Sequence, residues 1–323
     1  MNTYEITTTV RKAIGAAPKD MCVGISDYSA QEVRAIACIA KIDRMIQAFF
    51  DAEVHNPYLV RPDTGEKYKN PDSDMHTLAA TGLYPELQQV PKWELIKEAK
   101  KTMPGGWNRR TRGKICGFTV IYGGSSNRIS VALTVEQELA DKLLNNYFEL
   151  FPELKNYIDQ VSTLAKYQKW VECPITNRRY FVGESNAKGL DDDNTIQRKA
   201  CNTLIQGISA IMTKKAAFYV DNLFDELNIK YSSDIKEGKH GRIVALVHDE
   251  IVSYIPGQGK VIDLTQNKDG VWLPVYEYKD ISYEYAKAQE LGMKKAMDEL
   301  LHPLIADFPS KADCALGTSW AAK

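Results

Sequence analysis

The stretch that most constrains this chain is Ile243-Val244-Ala245-Leu246-Val247-His248-Asp249-Glu250-Ile251-Val252, two apolar runs hinged on three polar residues. The pattern reads as a tight β-hairpin with acids at its tip. Apolar residues on both arms should bury the strands, so that Asp249 is presented on a rigid support that suits a metal ion. Taken alone, the same stretch also reads as a polar turn between core strands. A partner carboxylate on a neighbouring strand separates the two readings.

Such a partner stands in Met21-Cys22-Val23-Gly24-Ile25-Ser26-Asp27-Tyr28-Ser29-Ala30-Gln31-Glu32, a strand-like run that ends in an acid and then turns helical. Asp27 falls at the end of that strand. Two acids on adjacent strand ends can share two divalent cations that clamp the attacking and leaving oxygens of a phosphoryl transfer, with magnesium the natural ion.

At 323 residues the chain can bury a sizeable core, and its length suits about two domains. It has no apolar run long enough to span a bilayer, and Met1-Asn2-Thr3-Tyr4-Glu5 lacks a charged-then-apolar signal pattern. A cytoplasmic protein without a membrane partner is expected. The cysteines (Cys22, Cys38, Cys116, Cys173, Cys201 and Cys314) are scattered singly, which fits reduced thiols rather than a zinc or disulfide framework. A formal net charge of -1 gives no global attraction for nucleic acid, yet Lys97 to Lys114 holds seven basic residues against one acid, Glu98.

Residues 7 to 27 read as extended segments broken at Pro18-Lys19-Asp20, and residues 30 to 53 as one helix with Val33, Ile36, Ala37, Ala40 and Ile46 inward. After a turn-rich excursion from His55 to Asp74, Ser73 or Asp74 can cap a helix carrying His76. Pro104-Gly105-Gly106 breaks the chain, and a helix from about Asn108 to Tyr122 ends at Gly123-Gly124. Along it Arg110, Lys114, Phe118 and Tyr122 are spaced by four and share one broad face. The order of two cations before two aromatics suits a phosphate grip followed by base-stacking rings, or else core aromatics with solvated cations.

Thr134 to Gln137 resembles a capping box for a helix carrying Leu139, Leu143, Leu144, Tyr147 and Phe148, and Pro152 opens another helix. Residues 170 to 183 read as a hairpin, and Asp191-Asp192-Asp193 as a solvated loop. A helix from about Thr195 to Leu223 places Arg198, Asn202 and Gln206 on one face, as minor-groove donors or as a wet helix surface. A β-hairpin excursion over 255–280 and a final helix, Ile281 to Leu301, complete the pattern.

In this order the stretches resemble the polymerase region of family A DNA polymerases, the bacterial DNA polymerase I family and its phage relatives. Asp27-Tyr28-Ser29-x-x-Glu32-x-Arg34 looks like the first catalytic motif, Arg110-x-x-x-Lys114-x-x-x-Phe118-x-x-x-Tyr122-Gly123 like the fingers helix, and His248-Asp249-Glu250 like the second catalytic motif. Supporting matches are Asp74-x-His76, Tyr147-Phe148-Glu149-x-x-Pro152, Asn177-Arg178-Arg179, Arg198-x-x-x-Asn202-x-x-x-Gln206-Gly207 and Gly317-x-x-Trp320. The family usually has Gly after the fingers-helix aromatic, whereas here Thr119 follows Phe118 and Gly117 precedes it. That departure puts the local helix packing in question.

The resemblance implies that Asp27 and Asp249 hold two Mg2+ ions with Glu250 in support. It implies that Arg110, Lys114 and His76 grip the triphosphate of a deoxyribonucleotide, with Lys114 as charge stabiliser or acid. Phe118 would lie against base and sugar, Tyr122 near the templating base and Glu32 beneath the sugar's 2′ position. Arg198, Asn202, Gln206 and His248 would contact primer-template DNA.

The expected fold is α+β, with an antiparallel palm sheet over 1–35 and 207–323 and a mainly helical fingers subdomain over 36–206. With only 26 residues ahead of Asp27, thumb and exonuclease are expected to be absent. A second polypeptide would supply them, in a split polymerase that would work in the host cytoplasm if phage-encoded. The alternatives are a single-subunit RNA polymerase-like enzyme, against which Glu32 argues, and a non-catalytic primer-template binding subunit, which would need no paired carboxylates.

Overall fold

The computed structural model describes residues 16–103, 106–183, 185–186, 189–190, 193–266 and 272–320. The expected extended start at residue 7, the Pro104-Gly105 break and Asp191-Asp192 lie outside them. The fold is α+β with antiparallel sheets. The chain divides into two compact units, one of residues 1–31, 209–300 and 310–323, the other of 32–208 and 301–309.

The first unit is built on a four-stranded antiparallel sheet in the order Ala312–Gly317, Met21–Tyr28, Glu250–Pro256, Arg242–Val247. Alternation along the central strands sends Ser26, Tyr28, Ile251 and Ser253 to one face and Val23, Ile25, Asp27, Glu250 and Val252 to the other. Helices cover the first face. From the helix Asp280–Leu301, Gln289 Nε2 donates to the Ile251 carbonyl at 2.8 Å, and the Met293 carbonyl accepts from Tyr28 Oη at 2.8 Å. On the second face Val23, Ile25 and Val252 form an apolar cluster with Ala17, Ala245, Tyr254 and Trp320 against it.

The hairpin expected around His248-Asp249 forms, with Arg242–Val247 and Glu250–Pro256 as its arms. Its arms are not equally buried. Glu250–Pro256 is central, whereas Arg242–Val247 is an edge strand with Val244 41% and Leu246 45% exposed, because it has a partner on one side only.

In the second unit the helix expected over 30–53 is two helices, Gln31–Ile39 and Asp43–Glu53. Lys41 takes the left-handed conformation (φ 51°) and the Ile42 N–H reaches the Ala37 carbonyl at 2.9 Å, a helix-ending closure made without glycine. Arg34 is fully buried behind this break: its guanidinium lies 4.2 Å from the Phe49 ring centroid and donates to Glu53 Oε1 at 3.3 Å and to the Pro309 carbonyl. Burial lowers its pKa to about 10, which still leaves it charged at neutral pH.

The capping box expected at Thr134 does not form. Thr134 ends the helix Ser126–Leu133 in the left-handed conformation (φ 52°), and the next helix starts at Gln137 with no side-chain cap. Other expected elements are present as the helices Pro152–Gln168, Asp193–Lys230 and Asp280–Leu301 and the hairpins Trp170–Glu172/Arg179–Phe181 and Lys260–Gln266/Trp272–Glu277. Among the described residues no helix is long and apolar enough to cross a membrane.

Removing the Arg34 guanidinium leaves the Pro309 carbonyl and Glu53 without their buried donor. Arg34→Ala should therefore cost on the order of 3 kcal/mol of stability. Urea unfolding checks this, and a loss below about 1 kcal/mol would contradict the structural role.

Candidate active site

The sheet of the first unit brings the expected carboxylates together. Asp27 is the direct antiparallel partner of Glu250, and Asp249 precedes Glu250 at the turn. Directly opposed residues have Cα atoms about 5 Å apart, so the carboxylates of this pair occupy one patch on one face. The turn is anchored. His248 has a left-handed backbone (φ 55°), unusual outside glycine, and its carbonyl accepts from Thr213 Oγ1 at 3.1 Å. Glu250 is buried and its Oε1 accepts from the indole N–H of Trp320.

Among the described residues no group of three or more His, Cys, Asp or Glu forms a ready-made metal cage. Two half-exposed carboxylates supply hard oxygen donors and leave coordination positions for a substrate, the ligand set Mg2+ takes at phosphate sites. These residues fit such an ion.

The second unit carries the remaining expected side chains. The helix Arg109–Ile121 is capped by Asn108, whose Oδ1 accepts from the Thr111 N–H at 2.8 Å, and it closes at Tyr122 and Gly123. Gly123 has φ +68°, and a β-carbon there would lie 2.5 Å from the Arg198 carbonyl oxygen, so no other residue fits. Gly117 faces Tyr147, whose hydroxyl would sit 2.9 Å from an added β-carbon. The displaced glycine thus accommodates a neighbouring tyrosine, and the helix runs on through Thr119 unbroken.

On the outer face of that helix three rings follow one another. His76 lies 6.3 Å from Phe118, Phe118 stacks on Tyr122 at 5.9 Å, and the exposed Lys114 ammonium is 5.8 Å from the Phe118 centroid. Tyr122 Oη donates to Glu32 Oε2, while Gln206 Nε2 donates to Glu32 Oε1 at 2.9 Å. The Glu32 carboxylate is therefore held by donors from two different helices. Arg198 instead donates to Thr195 Oγ1 at 3.0 Å, and Asn202 keeps a buried Oδ1 without a partner, so of the three-residue face only Gln206 joins this cluster.

Asp74 is the residue whose site role the sequence did not disclose. Its carboxylate caps the helix Met75–Leu83 through the His76 and Thr77 N–H groups and takes Arg110 Nε at 3.1 Å. The visible signals were the cap and the Asp74-x-His76 match, neither of which shows the Arg110 contact. Burial pushes the Asp74 pKa up, but the Arg110 hydrogen bond and charge outweigh it and hold the carboxyl below its ordinary value. Burial, with the Arg110 and Lys114 charges, lowers His76 to about 4.

The sequence pattern of DNA polymerase family A matches residues 2–262. The chain belongs to DNA polymerase family A. It is 26% identical over 247 residues to DNA polymerase I of Bacillus caldotenax, covering 76% of this chain and 23% of that protein. With DNA polymerase I of Bacillus subtilis (strain 168) it shares 24% over 312 residues, 96% of this chain and 27% of that one. The chain thus spans about a quarter of the length of these relatives. The POL domain of Pol1 from M. smegmatis, solved in complex with DNA primer-template and dNTP, is similar in fold. Its TM-score is 0.65 at 21% identity, with 100% of this chain and 44% of that one covered.

The depressed pKa of His76 has a sign that can be measured. Unfolded chain binds the proton as pH falls through about 6.5, whereas the native ring resists it until about 4, so stability should fall between these values. His76→Gln should flatten that loss. A native His76 resonance titrating near pH 6.5 in NMR would contradict the assignment.

Proposed function

We propose that this chain is the palm and fingers part of a template-directed DNA polymerase, with palm over 1–35 and 207–323 and fingers over 36–206. It adds deoxyribonucleotides to a primer 3′ end. The observation that carries the reading is the register pairing of Asp27 with Glu250, which brings Asp249 to the same strand ends. Family membership supports it.

In this reading Asp27 and Asp249 hold two Mg2+ ions, which when bound lower the pKa of the primer hydroxyl and offset pyrophosphate charge. Glu250, fixed by Trp320, keeps the turn carboxylate in place. Arg110 and Lys114 neutralise the triphosphate, and Lys114 stabilises charge or gives a proton to the leaving group. Neutral His76 donates a hydrogen bond without adding a third charge. Phe118 offers its face to the incoming base. Glu32, pinned by Tyr122 and Gln206, occupies the sugar edge as a fixed anion that crowds a 2′-hydroxyl. Arg198, Asn202, Gln206 and His248 serve the primer-template.

A second polypeptide with thumb and possibly exonuclease remains part of the proposal. Its support is the edge strand Arg242–Val247, whose exposed Val244 and Leu246 suit a covering element.

Asp27→Ala or Asp249→Ala should abolish primer extension with the fold retained, and extension above a few per cent of wild type would refute the reading. Glu32→Ala should raise the ratio of ribonucleotide to deoxyribonucleotide incorporation. An unchanged ratio in an active variant would remove the sugar gate.

A further inference from the structure

The hairpin Trp170–Glu172/Arg179–Phe181 has two unlike faces. Register pairs Val171 with Tyr180, Trp170 with Phe181 and Glu172 with Arg179. Val171 is buried, and Tyr180 packs on Gly207, where an added β-carbon would lie 2.4 Å from its hydroxyl. That fixes the Val171/Tyr180 side as inward and turns Trp170, Phe181, Glu172 and Arg179 outward.

This outer face is aromatic where a solvated hairpin would be polar. Phe181 is 65% exposed, and Tyr167, in the last turn of the preceding helix, is 85% exposed. Both side chains are largely exposed to solvent. On this face Arg179 lies 4.3 Å over the Trp170 ring, while the exposed Arg178 lies 5.3 Å over Tyr180 on the other side. Between Leu164 and Glu184 the chain holds Lys166, Lys169, Arg178 and Arg179 against Glu172 and Glu184. Glu172 is bonded to Arg179 at 2.9 Å, and the segment carries a surplus of two cations on a chain whose net charge is -1.

Exposed rings interleaved with cations match what single-stranded nucleic acid requires. Unpaired bases stack on aromatic faces while the cations track the phosphates, and neither contact depends on sequence. Paired bases offer no free face, so duplex cannot use the rings. For a polymerase, the single strand it must handle is the unpaired template ahead of the primer end. We propose that the outer face of this hairpin, together with Tyr167, is a stacking platform for the single-stranded 5′ extension of the template. The inference rests on the polymerase reading for its ligand, and on the hairpin's own chemistry for its location.

The test uses the full chain and the double variant Tyr167→Ala/Phe181→Ala, with Tyr167→Phe as a ring-retaining control. Both residues are exposed, and circular dichroism checks that the fold is kept. Fluorescence anisotropy measures binding of oligothymidylate, of a primer-template with a long 5′ extension, and of one with a single unpaired template nucleotide. The double variant should lose about tenfold or more in affinity for the first two and stay within about twofold on the third, which offers almost no unpaired base to stack. Tyr167→Phe should bind as wild type. Arg179→Gln should reduce the slope of log affinity against log salt by about 0.7 on oligothymidylate. Unchanged affinities, or an equal loss on all three ligands, would overturn the platform. So would a wild-type dimer that the double variant converts to monomer in sedimentation, since the rings would then be a protein interface. Wild-type chain that binds none of these DNAs would sink the polymerase reading itself; wild-type extension with an unaltered long-overhang affinity in the variant sinks the platform alone.

Discussion

The antiparallel pairing of Met21–Tyr28 with Glu250–Pro256 is the constraint on which the first unit depends. Side chains alternate with a period of two, so a one-residue slip would send Asp27 to the helix-covered face and Val23 and Ile25 with it. The slip is opposed by burial of Val23, Ile25 and Val252 on one face and by the Tyr28 and Gln289 hydrogen bonds on the other. Apolar packing thereby fixes the position of a charged pair. The same logic explains why the acids stand at the strand ends, where the apolar cluster stops and a hydrated ion can approach.

A different device organises the second unit. There the charged groups are held by one another rather than by the sheet, with Asp74 tying Arg110 to the helix that carries His76, and Tyr122 and Gln206 fixing both oxygens of Glu32. Such charge-assisted bonds give geometry more than stability. Their partners come from segments far apart in sequence, which makes the cluster sensitive to how the helices pack. Gly113, Gly117 and Gly123 are among the points where that packing admits no side chain.

Local signals made much of this legible. The four-residue spacing from Arg110 to Tyr122, the Asn108 cap and Gly123 defined a helix that the structure places within a residue of the expected bounds. The His248-Asp249 turn stood out because two apolar runs flank it. Elements that end without glycine escaped. No glycine or proline marks the break at Lys41, although Ile46 falls out of the helical phase that Val33, Ile36, Ala37 and Ala40 share, and at Thr134 a residue fit to begin a helix instead ends one. The exposure of Val244 and Leu246 was hidden because every residue of that arm after Arg242 is apolar, so no alternation marked it as an edge. Asp74's grip on Arg110, 36 residues away, has no local signature at all.

That the paired strand ends form a divalent-ion site is the central claim, and direct binding of Mn2+ as a probe for Mg2+ tests it. Electron paramagnetic resonance of Mn2+ titrated into the chain with primer-template and a deoxynucleotide should show protein-dependent binding that is lost in Asp27→Asn/Asp249→Asn, two substitutions that keep size and remove charge. Equal Mn2+ binding by wild type and by this variant would contradict the account.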